Sequence, residues 1–294
     1  MSIGQLAILT VVAVASLRSL PAMADYGLAS VLLYLIPAVF FLVPTALVSA
    51  ELATGWKGGV YVWVREAFGN RAGFVAIWLQ WIQNVVWYPI QISFIAVSLS
   101  YVFGSGSLGN NGVYVAVVII VLYWISTLVA LRGGNLFAKV GSICGLIGTL
   151  LPAALLIILG IVWLCAGEPT HTSLHASALL PPWTGISSIV LIVSNVLAYA
   201  GMEVNAVHAN DMKDPGREFP RATVLSTVLI LLVLVLPTLS IAFAVPHREL
   251  GLIDGINLAF KEFFDHFGMD WGVPVISLLI ALGAFSSVIT WIAG

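Results

Sequence analysis

Apolar windows long enough to cross a membrane recur along this chain from end to end, and no other feature limits its fold so severely. A helix of about twenty apolar residues spans the hydrocarbon layer. Such windows fall at roughly 4–24, 28–50, 71–103, 113–131, 143–166, 184–209, 222–245 and 273–294. Lipid offers no hydrogen bonds, so each backbone polar group must be satisfied within the protein, and helices do this segment by segment. Composition agrees: 61% of the 294 residues are hydrophobic and 8% are charged, against about a quarter charged in a soluble domain. The expected fold is an all-α polytopic membrane protein of about eight transmembrane helices. The third window is the longest and predicts a helix that tilts or extends past the bilayer.

Several function classes fall away. The eleven Lys and Arg residues form no basic stripe, so nucleic acid is not an expected partner. Cys144 and Cys165 are 21 residues apart in one apolar segment, about 31 Å along a helix, too far to pair within it. No metal-ligand spacing, paired-carboxylate site, Ser/His/Asp set or phosphate loop is present. The expectation is a non-enzyme without cofactor or metal, whose partners are the lipid bilayer and a small molecule. The first window lacks a cleavage signal and serves as its own insertion signal.

Charge sets the expected orientation. With the N-terminus inside, the inner connections hold Lys57, Arg65, Arg71, Arg132, Lys139, Lys213, Arg217 and Arg221, and the outer ones only Arg248 and Lys261. Excess Lys and Arg marks the cytoplasmic side, which predicts a cytoplasmic N-terminus in a multi-pass inner-membrane protein. Two connections look structured. Gly58 to Phe68 mixes aromatics with charges, as a short interfacial helix does. Asp254 to Phe267 places Ile256, Phe260, Phe263, Phe264 and Phe267 at helical spacing, which predicts an amphipathic outer helix capping the spans.

Polar groups at membrane depth point to function. The stretch Tyr199-Ala200-Gly201-Met202-Glu203 follows an apolar run and leads to the turn Asp214-Pro215-Gly216-Arg217. Ionisable groups in a span face a cavity, a partner or a substrate path. A glycine beside one lets the backbone leave the helix. In the first window Arg18 precedes Pro21, which removes a helical hydrogen bond to Leu17. A break near residues 16–20 is therefore expected, with Ser16 and Ser19 partly re-satisfying the freed groups. Arg18 suits a substrate carboxylate, or else snorkels outward or neutralises Asp25 or Glu203. Glu203 is open to three roles: proton carrier or gating group, counter-ion, or acceptor at the break. Tyr88 and Tyr199 serve as pocket walls or packing residues. Gln80, Gln83, Asn84 and Gln91 form a polar face that lines a path or bonds neighbouring helices. Asn205 and His208 read more readily as packing residues than as a relay.

The interrupted windows are the first and the sixth. They are five spans apart, an odd number, so the halves 4–166 and 184–294 would run with opposite topology. That is the plan of inverted-repeat transporters, whose discontinuous helices meet near the midplane.

The residues also resemble a known family. Tyr199-Ala-Gly-Met-Glu203, Ala206-Val-His208, Asn210-Asp-Met212 and Pro215-Gly-Arg-Glu-Phe-Pro220 are similar to the sixth span and inner loop of the bacterial glutamate/GABA antiporters, within the amino acid–polyamine–organocation superfamily. Ser49-Ala-Glu-Leu-Ala53, Gly58-Gly-Val60, Trp63-Val64, Gly73-Phe74, Ala76-Ile77 and Trp291-Ile292 with Gly294 support it. The resemblance implies a leucine-transporter-like inverted-repeat fold and an amino-acid antiporter or permease working by alternating access, with glutamate/GABA-like exchange. It implies that this chain is a fragment holding the first repeat and three spans of the second. Substrate would lie among Ser16, Leu17, Arg18, Ser19 and Leu20, the stretch Leu197, Tyr199, Ala200, Gly201 and Glu203, the neighbourhood of Tyr88, and Ser287 to Trp291. The family's first break carries tyrosines and an acidic residue where this chain has Leu17-Arg18-Ser19-Leu20, and its eighth span an acidic residue near Ser287. Proton-coupled uptake of neutral or cationic amino acids is the alternative cargo reading, and a non-transporting remnant or sensor the alternative class.

Overall fold

The computed structural model describes residues 1–181, 193, 195–246 and 254–294. Among them the regular elements are helices, and no strand occurs.

The first span is two helices in series. α1 (Ile3–Val14) begins at a reciprocal cap in which Ser2 Oγ accepts from the Gln5 N–H and Gln5 Oε1 accepts from the Ser2 N–H, satisfying donors that a helix start leaves orphaned. A 3₁₀ turn at Leu17–Ser19 leads into α2 (Leu20–Ala24). The second span joins α3 (Ser30–Pro37) to α4 (Val43–Gly55) through a π-helical turn at Ala38–Leu42. The short α5 (Gly59–Phe68) precedes the long third span, α6 (Asn70–Val102), and then α7 (Gly112–Leu131). The fifth span repeats the device of the second: α8 (Gly134–Gly145), a π-helical turn at Leu146–Leu150, and α9 (Leu151–Cys165). In both, a proline (Pro44, Pro152) takes the second position after the π turn, where the wider turn relieves the clash a proline brings to an α-helix interior. α10 (Pro215–Ala244), α11 (Gly255–His266) and α12 (Gly272–Ala293) complete the set.

Seven of these units are long and apolar enough to cross a membrane. Of the sixth expected window, 184–209, residues 184–192 and 194 lie outside the described residues, as does Arg248. The short interfacial helix and the amphipathic helix both form, as α5 and α11. Two boundaries differ from expectation. The fifth span starts at Gly134 rather than near 143, because the chain turns at Gly133 and a helix with one charge, Lys139, continues straight into the apolar run. The seventh starts at Pro215, whose missing N–H costs nothing at a first helical position, so its charged first turn extends past the hydrocarbon.

Packing sorts the spans. In the first span 72% of the apolar window is buried, against 6% in α7, so the first span is core and α7 lies at the periphery of the described helices. α1 lies between α10 and α12. α12 crosses the π turn of the fifth span so closely that a Cβ on Gly148 would collide with the Gly283 backbone. Such bare-backbone crossings are how membrane helices gain dispersion contact without a hydrophobic driving force. On the face bearing the N-terminus, the Met1 ammonium donates to the Asp211 carbonyl. On the opposite face α11 packs against α2 and the Leu17–Ser19 turn.

Candidate functional site

The first interruption lies at Ala15 and Ser16, whose backbones are extended (φ −78°, ψ 115° and φ −108°, ψ 119°). It begins one residue before the expected stretch and shares Ser16 with it, and Pro21 is not its cause. Pro21 sits in the first turn of α2, where its missing N–H is no loss. Ser19 takes part as expected: its N–H and its hydroxyl both donate to the Ser16 carbonyl, at 3.1 and 2.8 Å.

The second interruption turns on Gly201, at φ +116°, a backbone region that L side chains rarely adopt. On either side the chain tightens into i→i+3 bonds, with Ala200 N–H donating to Leu197 and Val204 N–H to Gly201. It continues as a 3₁₀ helix, Val204–Asp211, rather than as an α-helix. The two breaks touch. A Cβ on Gly201 would lie 3.0 Å from the Trp291 ring, 3.4 Å from Val14 and 3.5 Å from the Ala13 carbonyl.

Each break frees a carbonyl, and an uninterrupted helix supplies its partner. In an unbroken helix the Ala13 carbonyl would take the Leu17 N–H; here it accepts the Trp291 indole N–H at 2.9 Å. The Met202 carbonyl likewise accepts the Ser49 hydroxyl at 3.1 Å, while the Ala206 N–H goes to Glu203 at 2.9 Å. Buried carbonyls left unpaired are costly, so α12 and α4 hold the two breaks open as defined conformations. A third tie, buried Asn205 to Thr10 at 3.2 Å, fastens the 3₁₀ helix to α1.

The expected site residues divide by location. Ser16, Leu17 and Ser287 meet with Gln91 and Thr149 around a void of about 10 Å³, room for about one water. The Ser16 hydroxyl is buried there without a partner among the described residues. Tyr88 and Trp291 line a separate groove of about 530 Å³ with Gln80, Asn84 and Tyr123, within the size range of small-molecule pockets. Trp87 connects the walls, its ring 5.6 Å from Trp291 and 5.5 Å from Tyr88. Trp291 therefore walls the groove while its indole N–H bonds the first break at Ala13. The polar face of α6 is split: Gln91 serves the void, Gln80 and Asn84 the groove, and Gln83 neither.

Arg18 is half-buried in the Leu17–Ser19 turn, on the side covered by α11, and Leu20 is fully buried in the core. Glu203 is half-buried and heads the 3₁₀ helix on the side facing α4, α5 and the N-terminus. The two are not paired with each other. They flank the breaks from opposite sides, which leaves the counter-ion role of Glu203 toward Arg18 unfilled. Tyr199 is buried, and its hydroxyl donates to the Tyr34 carbonyl at 3.0 Å with the rings edge to face. Ala200 is half-buried beside it, and Leu197 is exposed. His208 pairs with Asp211 at 3.2 Å and stacks on Phe137 at 4.9 Å, a packing arrangement. Both cysteines are free.

Sequence reasoning missed the carbonyl partners. Ser49 was visible only as part of a family-like stretch, and Trp291 only as a pocket candidate. Nothing in the letters paired either with a residue more than a hundred positions away.

Comparison with known proteins adds an independent line. Residues 2–294 match the amino acid permease family. An uncharacterized transporter, lpg1691, of Legionella pneumophila is 42% identical over 296 residues, 100% of this chain and 63% of that protein. The glutamate/gamma-aminobutyrate antiporter of Lactococcus lactis (strain MG1363) is 32% identical over 291 residues, 97% of this chain and 58% of its own length. A probable agmatine/putrescine antiporter, AguD, of Lactococcus lactis is 26% identical over 273 residues, covering 89% and 55%. The chain thus spans about three fifths of the length of the curated relatives it matches.

Proposed function

This chain belongs to the amino acid permease family, and from that premise we propose that it forms part of an amino-acid antiporter of the bacterial inner membrane. Glutamate/GABA-like exchange by alternating access is the first choice of cargo. The family is one of transporters and not of enzymes. The observation that carries the proposal is the contact between the two interrupted segments, Ala13–Ser16 and Tyr199–Glu203, through Trp291 and Gly201. Interrupted helices expose N–H and C=O groups and directed dipole ends at membrane depth, which suit the carboxylate and amine of an amino acid. The relative whose name states glutamate/gamma-aminobutyrate exchange aligns over nearly the whole chain, which favours that cargo.

In this proposal Arg18 and the N–H groups after the first break take the substrate carboxylate. Carbonyls of the second break, or Glu203, take the amine. Arg18 and Glu203 would bracket the berth from its two sides, and Trp291, Tyr88 and the groove of α6 and α7 would form the path toward the N-terminal face. The distribution of Lys and Arg supports a cytoplasmic N-terminus. The pairing of residues 4–166 and 184–294 as inverted repeats is part of the same proposal.

The test is counterflow in liposomes with the full-length protein and a panel of labelled amino acids. Arg18→Ala should abolish uptake of acidic substrates; exchange at the parent rate in that variant removes Arg18 from the berth. One observation favours a second reading. Glu203 is a half-buried carboxylate beside the break and is free of Arg18, a setting suited to proton-coupled uptake of neutral or cationic amino acids. Accumulation driven by a pH gradient without counter-substrate would select that reading over exchange.

A further inference from the structure

Among the described residues, α11 is tied to its neighbours both near its start and at its end. Near its start the buried Asn257 side-chain amide donates to Ser98 Oγ of α6 at 3.2 Å. That bond involves no titratable group. At its other end His266 Nε2 lies 3.3 Å from Glu168 Oε1, on the connection that follows α9. The same imidazole lies over Trp163 of α9, ring centres 4.4 Å apart, and meets Phe267 edge-on at 5.0 Å. The Trp163 indole N–H donates to the Pro169 carbonyl at 3.2 Å, which fixes both the ring and the connection carrying Glu168. Between these ties Ile256, Phe260, Phe263 and Phe264 are buried, and the helix packs on the Leu17–Ser19 turn and α2. α11 therefore packs on the turn that follows the first break, and its fastening at His266 can change charge.

We propose that His266, Glu168 and Trp163 form a proton-operated clasp that holds α11 over the first break when His266 is protonated and loosens when it is neutral. A protonated imidazole gains an ion pair with the Glu168 carboxylate and a cation–π contact with the Trp163 face. A neutral one loses both. Histidine is the side chain whose charge changes most readily near neutral pH, so acid favours the clasp and alkali loosens it. Asp254, just before α11, interacts with Tyr101 of α6. Lys261, Glu262 and Asp265 lie on α11 itself. The Asp265 carboxyl is held above its usual range by loss of water and by Asp270, against the pull of Lys261. Arg18 lies on the packed turn, Asp25 follows α2, and His171 lies beyond Glu168 on the same connection. The first break belongs to the berth proposed above, but the clasp itself is a statement about α11 and is tested without substrate.

The experiment is a distance measurement on the full-length protein in lipid nanodiscs, with Cys144→Ser and Cys165→Ser as background. Spin labels at Ser173→Cys and Glu262→Cys report the separation of the connection from α11. From pH 5 to pH 8 the longer-distance population should rise roughly two- to five-fold, the size that a partly exposed ion pair supplies. His266→Gln and Glu168→Gln should each flatten this response, and His171→Gln should leave it intact. Either of the first two variants suffices if the other does not fold. A pH-independent distance in the parent, a response surviving both His266→Gln and Glu168→Gln, or its loss in His171→Gln would overturn the clasp. Because no transport is measured, failure of amino-acid exchange in a parallel assay would count against the berth and not against the clasp.

Discussion

The two interruptions solve one problem by different means. At Ala15 and Ser16 the backbone leaves the helix through extended angles open to any L-residue, and a hydroxyl three residues on, Ser19, helps to restart it. At Gly201 the chain enters the left-handed region and has no side chain because Trp291 and Val14 occupy the space. The first break is therefore tolerant in residue type and specified by its surroundings. The second is specified by its own residue. Both still depend on a side chain from an unbroken helix to take up a freed carbonyl, Trp291 for Ala13 and Ser49 for Met202.

The largest test of that contrast is Gly201→Ala. It should add backbone strain of about 1–3 kcal/mol to overpacking of about 1–3 kcal/mol against Trp291. The thermal midpoint of the full-length protein in detergent should drop accordingly, and exchange should be lost. A variant as stable as the parent would mean that the left-handed turn is not a requirement of the fold. Next in size is Trp291→Phe, which keeps an aromatic ring but leaves the Ala13 carbonyl unpaired, at about 1–3 kcal/mol. Denaturant or thermal unfolding reads the loss, and transport should fall with it because the same ring walls the groove. Unchanged unfolding would show that the first break is held by backbone alone. The smallest effect belongs to Ser49→Ala, about 0.5–1.5 kcal/mol from one hydroxyl donor. If Ser49→Ala proves costlier than Trp291→Phe, the ranking of the two caps is reversed, and the second break is the one that leans more on its neighbours.

Much of the framework was legible in the letters. The spans follow from apolar length, α5 and α11 from the spacing of aromatics with charges, and the second break from Gly201 beside Glu203. The first break was anticipated for a mistaken reason, since a proline reads the same in the first turn of a new helix as at the end of an old one. The fifth span began early because a single lysine in a helix facing the membrane surface does not end it. The polar face of α6 looked like one stripe, yet its amides serve two different spaces, because α7 helps to wall the one while α1 and the π turn of the fifth span help to wall the other.

The sequence by itself determined that this chain lies in a bilayer as helices and that one of them bends at a glycine, since solvent transfer and backbone sterics act locally along the chain. Only the tertiary structure decided which distant side chain satisfies each exposed carbonyl, and that His266 meets Glu168 over Trp163. Hydrogen-bond partners reach about 3 Å, and which groups come that close is set by how whole helices cross.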